Sequence, residues 1–226
     1  MLPDRLIVFA KRPMPGRVKT RLVPPLTVDE AAALYDAILR DVVALAARQH
    51  AQLELWYQRG VGAREFFREH FPVVPLQPQG GGELGEKLAD AFQRSFASGA
   101  ERVVIIGSDS PTLPESVLTG AFEALDDADL VLGPASDGGY YLVGLRAAAW
   151  PRGTVLFDHI PWSTPDVLRR TRERAEKKGL SLRALPGWYD VDGVEDLRQA
   201  QRDTEPDSHL AHWLEQRPDL TGSPRA

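Results

Sequence analysis

The sequence predicts a three-layer α/β/α fold with a mainly parallel sheet. Two observations predict it. Short, β-rich apolar runs alternate with longer segments of helical periodicity along nearly the whole chain, the pattern of strands joined by crossover helices. The runs are also apolar enough to be buried on both faces. With 226 residues, 43% hydrophobic and 26% charged, the chain suits one globular domain. We place that domain at residues 1–216 and expect a Pro-, Gly- and Ser-containing tail over 217–226 to fray.

The elements follow in order. Leu6–Ala10 reads as a buried first strand, followed by a Pro/Gly/basic loop from Lys11 to Pro25. Thr27 and Glu30 have capping-box spacing, and Leu34, Ile38, Val42 and Leu45 continue at helical intervals. Leu53–Tyr57 is a second strand and Ala63–His70 a short helix. Val73–Leu76 reads as a third strand, followed by a glycine-rich turn and a helix over Glu86–Phe96. Val103–Ile106 is a strong buried strand running into Gly107-Ser-Asp-Ser-Pro111, and Pro114–Leu125 is helical. Leu130–Gly133 and Tyr140–Leu145 bracket the loop Pro134–Gly139. Ser163–Lys178 reads as a helix with Pro165 in its first turn. Leu180–Leu185 is the last strand, Asp192-Gly-Val-Glu195 caps another helix, and Leu210–Gln216 is helical.

Composition narrows the function. Cysteine is absent, which removes disulfides, thiolate metal sites and a cysteine nucleophile. A net charge of -5 argues against nucleic acid as partner, because that affinity rests on Lys and Arg neutralising phosphates. Asp4 and Arg5 precede an apolar run too short for a signal peptide, and no stretch is long enough to span a bilayer. The expected location is the cytoplasm, with no membrane partner.

In open α/β sheets ligands bind beyond the carboxyl ends of the strands, so the loops leaving them carry the functional information. The first places Lys11, Arg12, Arg17, Lys19 and Arg21 together, with Gly16 allowing close backbone approach. Such a cluster is either a solvated basic loop or a phosphate grip, and its place after the first strand favours the grip. It lacks the Walker A spacing. In the second loop Asp109 stands directly after a buried strand. That suits a ligand or a divalent cation, and equally a side chain–backbone turn. The third, Ser136-Asp137-Gly138-Gly139-Tyr140, has glycines that let a sugar or phosphate approach, yet Asp-Gly is also a strong hairpin signal. In the fourth, Asp190 and Asp192 fall on one side of an extended segment. Asp192 either joins a metal site with Asp109 or caps the following helix.

Gly80-Gly-Gly-Glu-Leu-Gly85 fits G-x-G-x-x-G but follows the third strand, without a clean acidic partner about 20 residues on after a second strand. A loop reading a nucleobase is a better account than a dinucleotide fold. The five histidines lack zinc-ligand spacing, and no G-x-S-x-G elbow is present.

Taken together, Phe9-Ala-Lys-Arg-Pro-Met-Pro-Gly-Arg-Val-Lys-Thr-Arg-Leu22, Gly85-Glu-Lys, Gly107-Ser-Asp-Ser-Pro111, Asp137-Gly-Gly-Tyr-Tyr-Leu-Val-Gly144, Trp162-Ser-Thr164 and Asp190-Val-Asp192 resemble the bacterial glycosyltransferase-A-like proteins grouped as DUF2064. Some members of that family are called arsenosugar-biosynthesis glycosyltransferases. The resemblance implies a nucleotide-diphospho-sugar transferase fold with a mixed, mainly parallel sheet, shared with nucleotidyltransferases. It also implies phosphate contacts from Lys11, Arg17, Lys19 and Arg21, Mg²⁺ or Mn²⁺ at Asp109 and Asp192, and base contacts near Gly82 and Gly85. The expected reaction is glycosyl transfer from a nucleotide-sugar to a small acceptor. Asp109, Asp137 and Lys19 would be catalytic, Asp137 or Asp158 would serve as base, and Asp137, Gly138, Gly139, Trp162, Ser163 and Thr164 would border sugar or acceptor. The alternatives are nucleotidyl transfer from an NTP to a phosphorylated acceptor and a non-catalytic nucleotide-binding protein. Asp109 stands in Ser-Asp-Ser, not Asp-x-Asp, which suits the nucleotidyltransferase relatives equally well.

Overall fold

In the computed structural model, which describes residues 3–217 and 220, the first apolar run forms β1 (Asp4–Ala10) near the middle of a seven-stranded sheet. Its neighbours β2 (Gln52–Tyr57) and β4 (Arg102–Ile106) run parallel to it, with Leu6 opposite Leu53 and Val104. β3 (Leu76–Pro78) is parallel to β2 at one edge. On the other side, β6 (Tyr140–Arg146) is antiparallel to both β4 and β5 (Leu130–Pro134), and β7 (Leu182–Ala184) is parallel to β5. The order is β3-β2-β1-β4-β6-β5-β7. This is the three-layer arrangement with a mainly parallel sheet that the alternation predicts.

Alternation along β1 explains the layers. Leu6, Val8 and Ala10 face α1 (Val28–Ala47), α2 (Ala63–His70) and α4 (Glu115–Asp127). Ile7 faces the opposite layer, where α3 (Leu84–Ala97), α5 (Trp150–Gly153) and α6 (Val167–Lys177) supply Leu88, Phe92, Trp150 and Ala175. The capping box at Thr27 and Glu30 forms as spaced.

A third apolar cluster matters most for function. Leu22 and Leu26 of the first loop and Leu34 and Ile38 of α1 pack against Tyr189 and Val191. They also meet Leu197 and Ala200 of α7 (Val194–Asp203) and Leu210 and Leu214 of α8 (His209–Glu215). Burial of these side chains draws Asp190 and Asp192 beside the first loop.

Several boundaries differ from expectation. Val73 is 90% exposed and β3 starts only at Leu76, where pairing with Leu55 begins. The helix expected from Ser163 starts at Val167, because Thr164 Oγ1 donates to the Pro161 carbonyl and residues 162–166 form turns. The last strand shortens to Leu182–Ala184. Of the tail expected to fray, Arg217 and Leu220 are described: Arg217 pairs with Glu30 at 2.5 Å and Leu220 is buried. Residues 218, 219 and 221–226 lie outside the described residues. Among the described residues no helix is long and apolar enough to cross a membrane.

Candidate active site

The strand exits build a cleft of about 590 Å³. Tyr35 of α1 ties two of them together. Its buried hydroxyl accepts from the Lys11 backbone N–H at 3.0 Å and shares a 2.7 Å hydrogen bond with Ser108 Oγ. Burial pushes the phenol well above its ordinary pKa, so it stays neutral. The first loop turns at Gly16, whose φ of +72° lies in the left-handed region, and the buried Val18 and Leu22 anchor it.

Between these anchors Lys19 adopts φ +47° and sends its side chain inward, 2% exposed. A lysine in that backbone region carries strain that surrounding contacts must hold. Those contacts are ionic: the ammonium pairs with Asp109 and, at 3.5 Å, with Asp192. Burial alone would favour the neutral amine, but Asp109, Asp192 and Asp190 outweigh it and hold the lysine pKa above the ordinary value.

Asp190 and Asp192 reach this point through a backbone link, since the Val191 N–H donates to the Asp109 carbonyl at 2.9 Å. Asp190 accepts from Ser110 Oγ at 2.5 Å. Burial, with Asp109 adding repulsion, pushes its carboxyl up to about 6 against the pull of that hydrogen bond and of Lys19. Asp192 does not cap α7. Gly193 is the cap, and the Asp196 carboxylate accepts from the Asp192 and Gly193 N–H groups at 3.1 and 2.7 Å. The Asp192 carboxylate therefore turns to Lys19 and to Arg21, 3.2 Å away.

The donor chemistry fits a hard divalent cation. Asp109 and Asp192 face the same ammonium with side chains 42% and 46% exposed, so both can present oxygens to the cleft. Among the described residues no three His, Cys, Asp or Glu side chains converge as a complete ligand set. The pair therefore fits an ion that takes further ligands from a substrate's phosphates, as Mg²⁺ commonly does.

Lys11, Arg17, Lys19, Arg21, Asp109 and Asp192 thus line one cleft, while Gly16 supports its loop without lining it. The other expected residues lie apart from that lining. Asp137, Gly138 and Gly139 form the β5–β6 turn, with Asp137 Oδ1 accepting from the Gly139 N–H at 2.9 Å. That turn docks on α6 through the Leu168 N–H and the Gly138 carbonyl. Trp162 stands edge-on to Tyr140, a cleft residue, with ring centroids 6.3 Å apart. It lines a separate cavity of about 330 Å³ with Gly85 and Asp158. At Gly85 a Cβ would lie 2.5 Å from the Phe157 carbonyl and 3.0 Å from the Trp162 ring. Gly82 turns at φ +81° under Glu86, Ser163 sits at φ +63°, and Thr164 closes its own turn.

Sequence reasoning missed Gln58, Gln79 and Tyr35, all cleft residues, and quoted Lys87, also of the cleft, only within Gly85-Glu-Lys without giving it a role. The signal for Lys87 is its spacing three residues after Leu84, which also lines the cleft and places both on one helix face. Gln58 directly follows β2.

Comparison with known proteins agrees with this architecture. Residues 41–164 match the family described as "Uncharacterized protein conserved in bacteria (DUF2064)". A crystal structure of a candidate nucleotide-diphospho-sugar transferase from Desulfovibrio desulfuricans superposes with a TM-score of 0.92 at 35% identity, covering 98% of this chain and 97% of that one. The 2-phospho-L-lactate guanylyltransferase of Methanothermobacter thermautotrophicus is 28% identical over 185 residues, 79% of this chain and 76% of that protein. A cytidylyltransferase from Leptospira borgpetersenii shares the fold, with a TM-score of 0.58 at 11% identity over 100% of this chain and 99% of its own. The chain belongs to the DUF2064 family, and its relatives are transferases.

Proposed function

We propose that this member of the family is a nucleotidyltransferase. It joins the nucleoside monophosphate part of an NTP to a small phosphorylated acceptor and releases pyrophosphate. One observation carries the reading: within a single cleft, cations of the first loop face carboxylates gathered from the exits of β4 and β7. A triphosphate carries the negative charge that these cations, and a cation held by those carboxylates, would take.

Lys11, Arg17 and Arg21 neutralise the β- and γ-phosphates. The buried Lys19 ammonium, already held beside Asp109, stabilises charge developing around the α-phosphorus. Asp109 and Asp192 would hold Mg²⁺ or Mn²⁺, which when bound supplies further charge neutralisation on the phosphate oxygens. An acceptor phosphate oxygen attacks the α-phosphorus, and the bond from that phosphorus to its β-bridging oxygen breaks. The electron pair leaves with pyrophosphate. A phosphate monoester is largely ionised at neutral pH, with its second pKa near ~6. The step therefore needs no protein base, which fits a cleft that Asp137 and Asp158 do not line. The guanylyltransferase relative, whose name specifies a phosphorylated carboxylic acid, supports this acceptor class.

Glycosyl transfer from a nucleotide-sugar is the second reading, favoured by the 35% identity to the Desulfovibrio protein. An inverting transfer would need a base in the cleft, and Asp190, with its raised pKa, is a carboxyl placed for it.

The test is product analysis with each NTP and each NDP-sugar, Mg²⁺ or Mn²⁺, and a panel of phosphorylated carboxylic acids. Pyrophosphate release that requires both an NTP and an acceptor is the expected outcome. Release of NDP from an NDP-sugar, with no pyrophosphate from any NTP, would replace the proposal with the second reading.

A further inference from the structure

A second groove of about 420 Å³ opens off the cleft, between the first loop and the β2–α2 connection. The two share Lys11, Arg17, Val18 and Gln58, so they are continuous. Their charge differs. The cleft holds Asp109, Asp190 and Asp192, whereas the groove is lined by Lys11, Arg12, Arg17 and Arg59 with no carboxylate. Among the described residues none of these four cations has a carboxylate within ion-pair distance. The chain as a whole carries more acidic than basic residues, 32 against 27. Four neighbouring cations without a carboxylate partner repel one another, an electrostatic cost that an anionic ligand would relieve.

Two of the four are held in place. Arg12 Nη1 donates to the Val61 carbonyl at 2.8 Å, and its guanidinium lies 6.0 Å from the Phe66 ring centre. Gly62 makes room for it: a Cβ there would come within 2.5 Å of Arg12 Nη1. Arg59 Nε donates to the Gln79 carbonyl at 3.0 Å. Each guanidinium spends one N–H on this anchoring and keeps the rest for a ligand. The start of α2, at Ala63, lies along the same groove and adds the positive end of a helix.

We propose that this groove receives inorganic pyrophosphate as it leaves, forming a product subsite beyond the position of the β- and γ-phosphates. The inference rests on the nucleotidyl-transfer reading. Once the bond to the α-phosphorus breaks, the leaving group gains negative charge. Lys11 and Arg17 already contact its phosphates and belong to both spaces. Arg12 and Arg59 then draw it away from the carboxylates into the groove. The path is electrostatic and needs no moving lid.

The test is calorimetric titration of the full chain with pyrophosphate and, separately, with each NTP and NMP. It compares wild type with Arg12→Gln, Arg59→Gln and the double variant. Each single change is expected to weaken pyrophosphate about tenfold, and the pair about a hundredfold, the scale of lost charge-assisted hydrogen bonds. NMP affinity should not move. Thermal melting controls for folding, and Arg12→Lys, which keeps the charge, should recover much of the affinity. Unchanged pyrophosphate binding in a folded double variant, or wild type binding NTP but not millimolar pyrophosphate, would overturn the product subsite and leave nucleotidyl transfer standing. Loss of a phosphorylated carboxylic acid in the double variant, with pyrophosphate unaffected, would also overturn it by reassigning the groove to the acceptor. Arginine-dependent pyrophosphate binding without any NTP binding would uphold the groove and remove the reading beneath it.

Discussion

The two edges of the sheet use buried charge in opposite ways. At the amino edge every buried acid meets its complement. Asp129, whose side chain is 5% exposed, is gripped by Arg146 at 2.5 Å and Arg152 at 3.1 Å and accepts from the Ser181 N–H. Asp4 is bidentate to Arg102, and Arg5 lies 3.2 Å from Glu54. At the carboxyl edge, Asp109, Asp190 and Asp192 crowd around one buried lysine, while among the described residues Lys11 and Arg17 across the cleft have no carboxylate partner. The first edge is matched and the second is frustrated. Matched charge serves the fold, and frustrated charge marks a place where a ligand completes the pairing.

The difference can be broken most strongly at Asp109. Asp109→Asn should lower turnover on the order of 10²–10³-fold and lower the melting temperature less than the loss of a fully buried acid does, because Asp192 and Asp190 still face Lys19, as a steady-state pyrophosphate-release assay beside a melting curve would reveal. A large loss of stability with intact turnover would place Asp109 among the structural acids. The mirror experiment is Asp129→Asn. It leaves two arginines facing a neutral amide and should cost about 2–3 kcal/mol, a fall of about 5–10 °C in melting temperature. Turnover measured well below melting should not move; if it does, the two edges are coupled.

The edges should also respond oppositely to pH in metal-free buffer. Asp190 titrates near 6 in the fold against an ordinary 3.8, so the folded state holds its proton more tightly. Its contribution therefore falls as pH rises from about 4 to 6. Asp190→Asn should gain stability over wild type across that window, by about 2–3 kcal/mol at neutral pH. Asp129 is held below its ordinary pKa: burial works against this, but the Ser181 N–H and the two arginines outweigh it. Its contribution is present above the ordinary value and is lost as pH falls through the lowered one. A wild type and Asp190→Asn that stay parallel from pH 4 to 7 would contradict the raised value. The smallest effect belongs to neither edge. Arg198 pairs with Glu195 one turn away on the exposed face of α7, and Arg198→Ala should cost about 0.3–0.5 kcal/mol, barely visible in a melt.

Much of this organisation was legible in the amino-acid order. The strands, the Thr27–Glu30 cap, the Asp-Gly hairpin and the basic loop after β1 all rest on spacings of two to four residues, and such contacts form within a few residues of where they are written. The acids Asp109 and Asp192 could be singled out because each follows an apolar segment at a strand exit. What remained open was which alternative each would take. Asp192 reads as a cap with Glu195 behind it, yet Asp196 does that work and releases it. Ser163 reads as the start of α6 and, with Trp162 and Thr164, as an acceptor border, but the turn that Thr164 closes on the Pro161 carbonyl holds that helix back to Val167.

The sequence by itself determined the layers, the element order and the residue types at each strand exit, because periodicity and capping are local. Only the tertiary structure decided that Lys19 lies against Asp109, 90 positions away, and that Arg21 meets Asp192 across 171. It also decided that Lys11, Arg12, Arg17 and Arg59 share a groove that, among the described residues, no acid lines. The Lys19 and Arg21 pairings depend on Leu22, Leu26, Tyr189 and Val191 burying one another. Hydrophobic burial is non-directional, so the pattern of apolar residues states that these segments will be covered without stating by which partner.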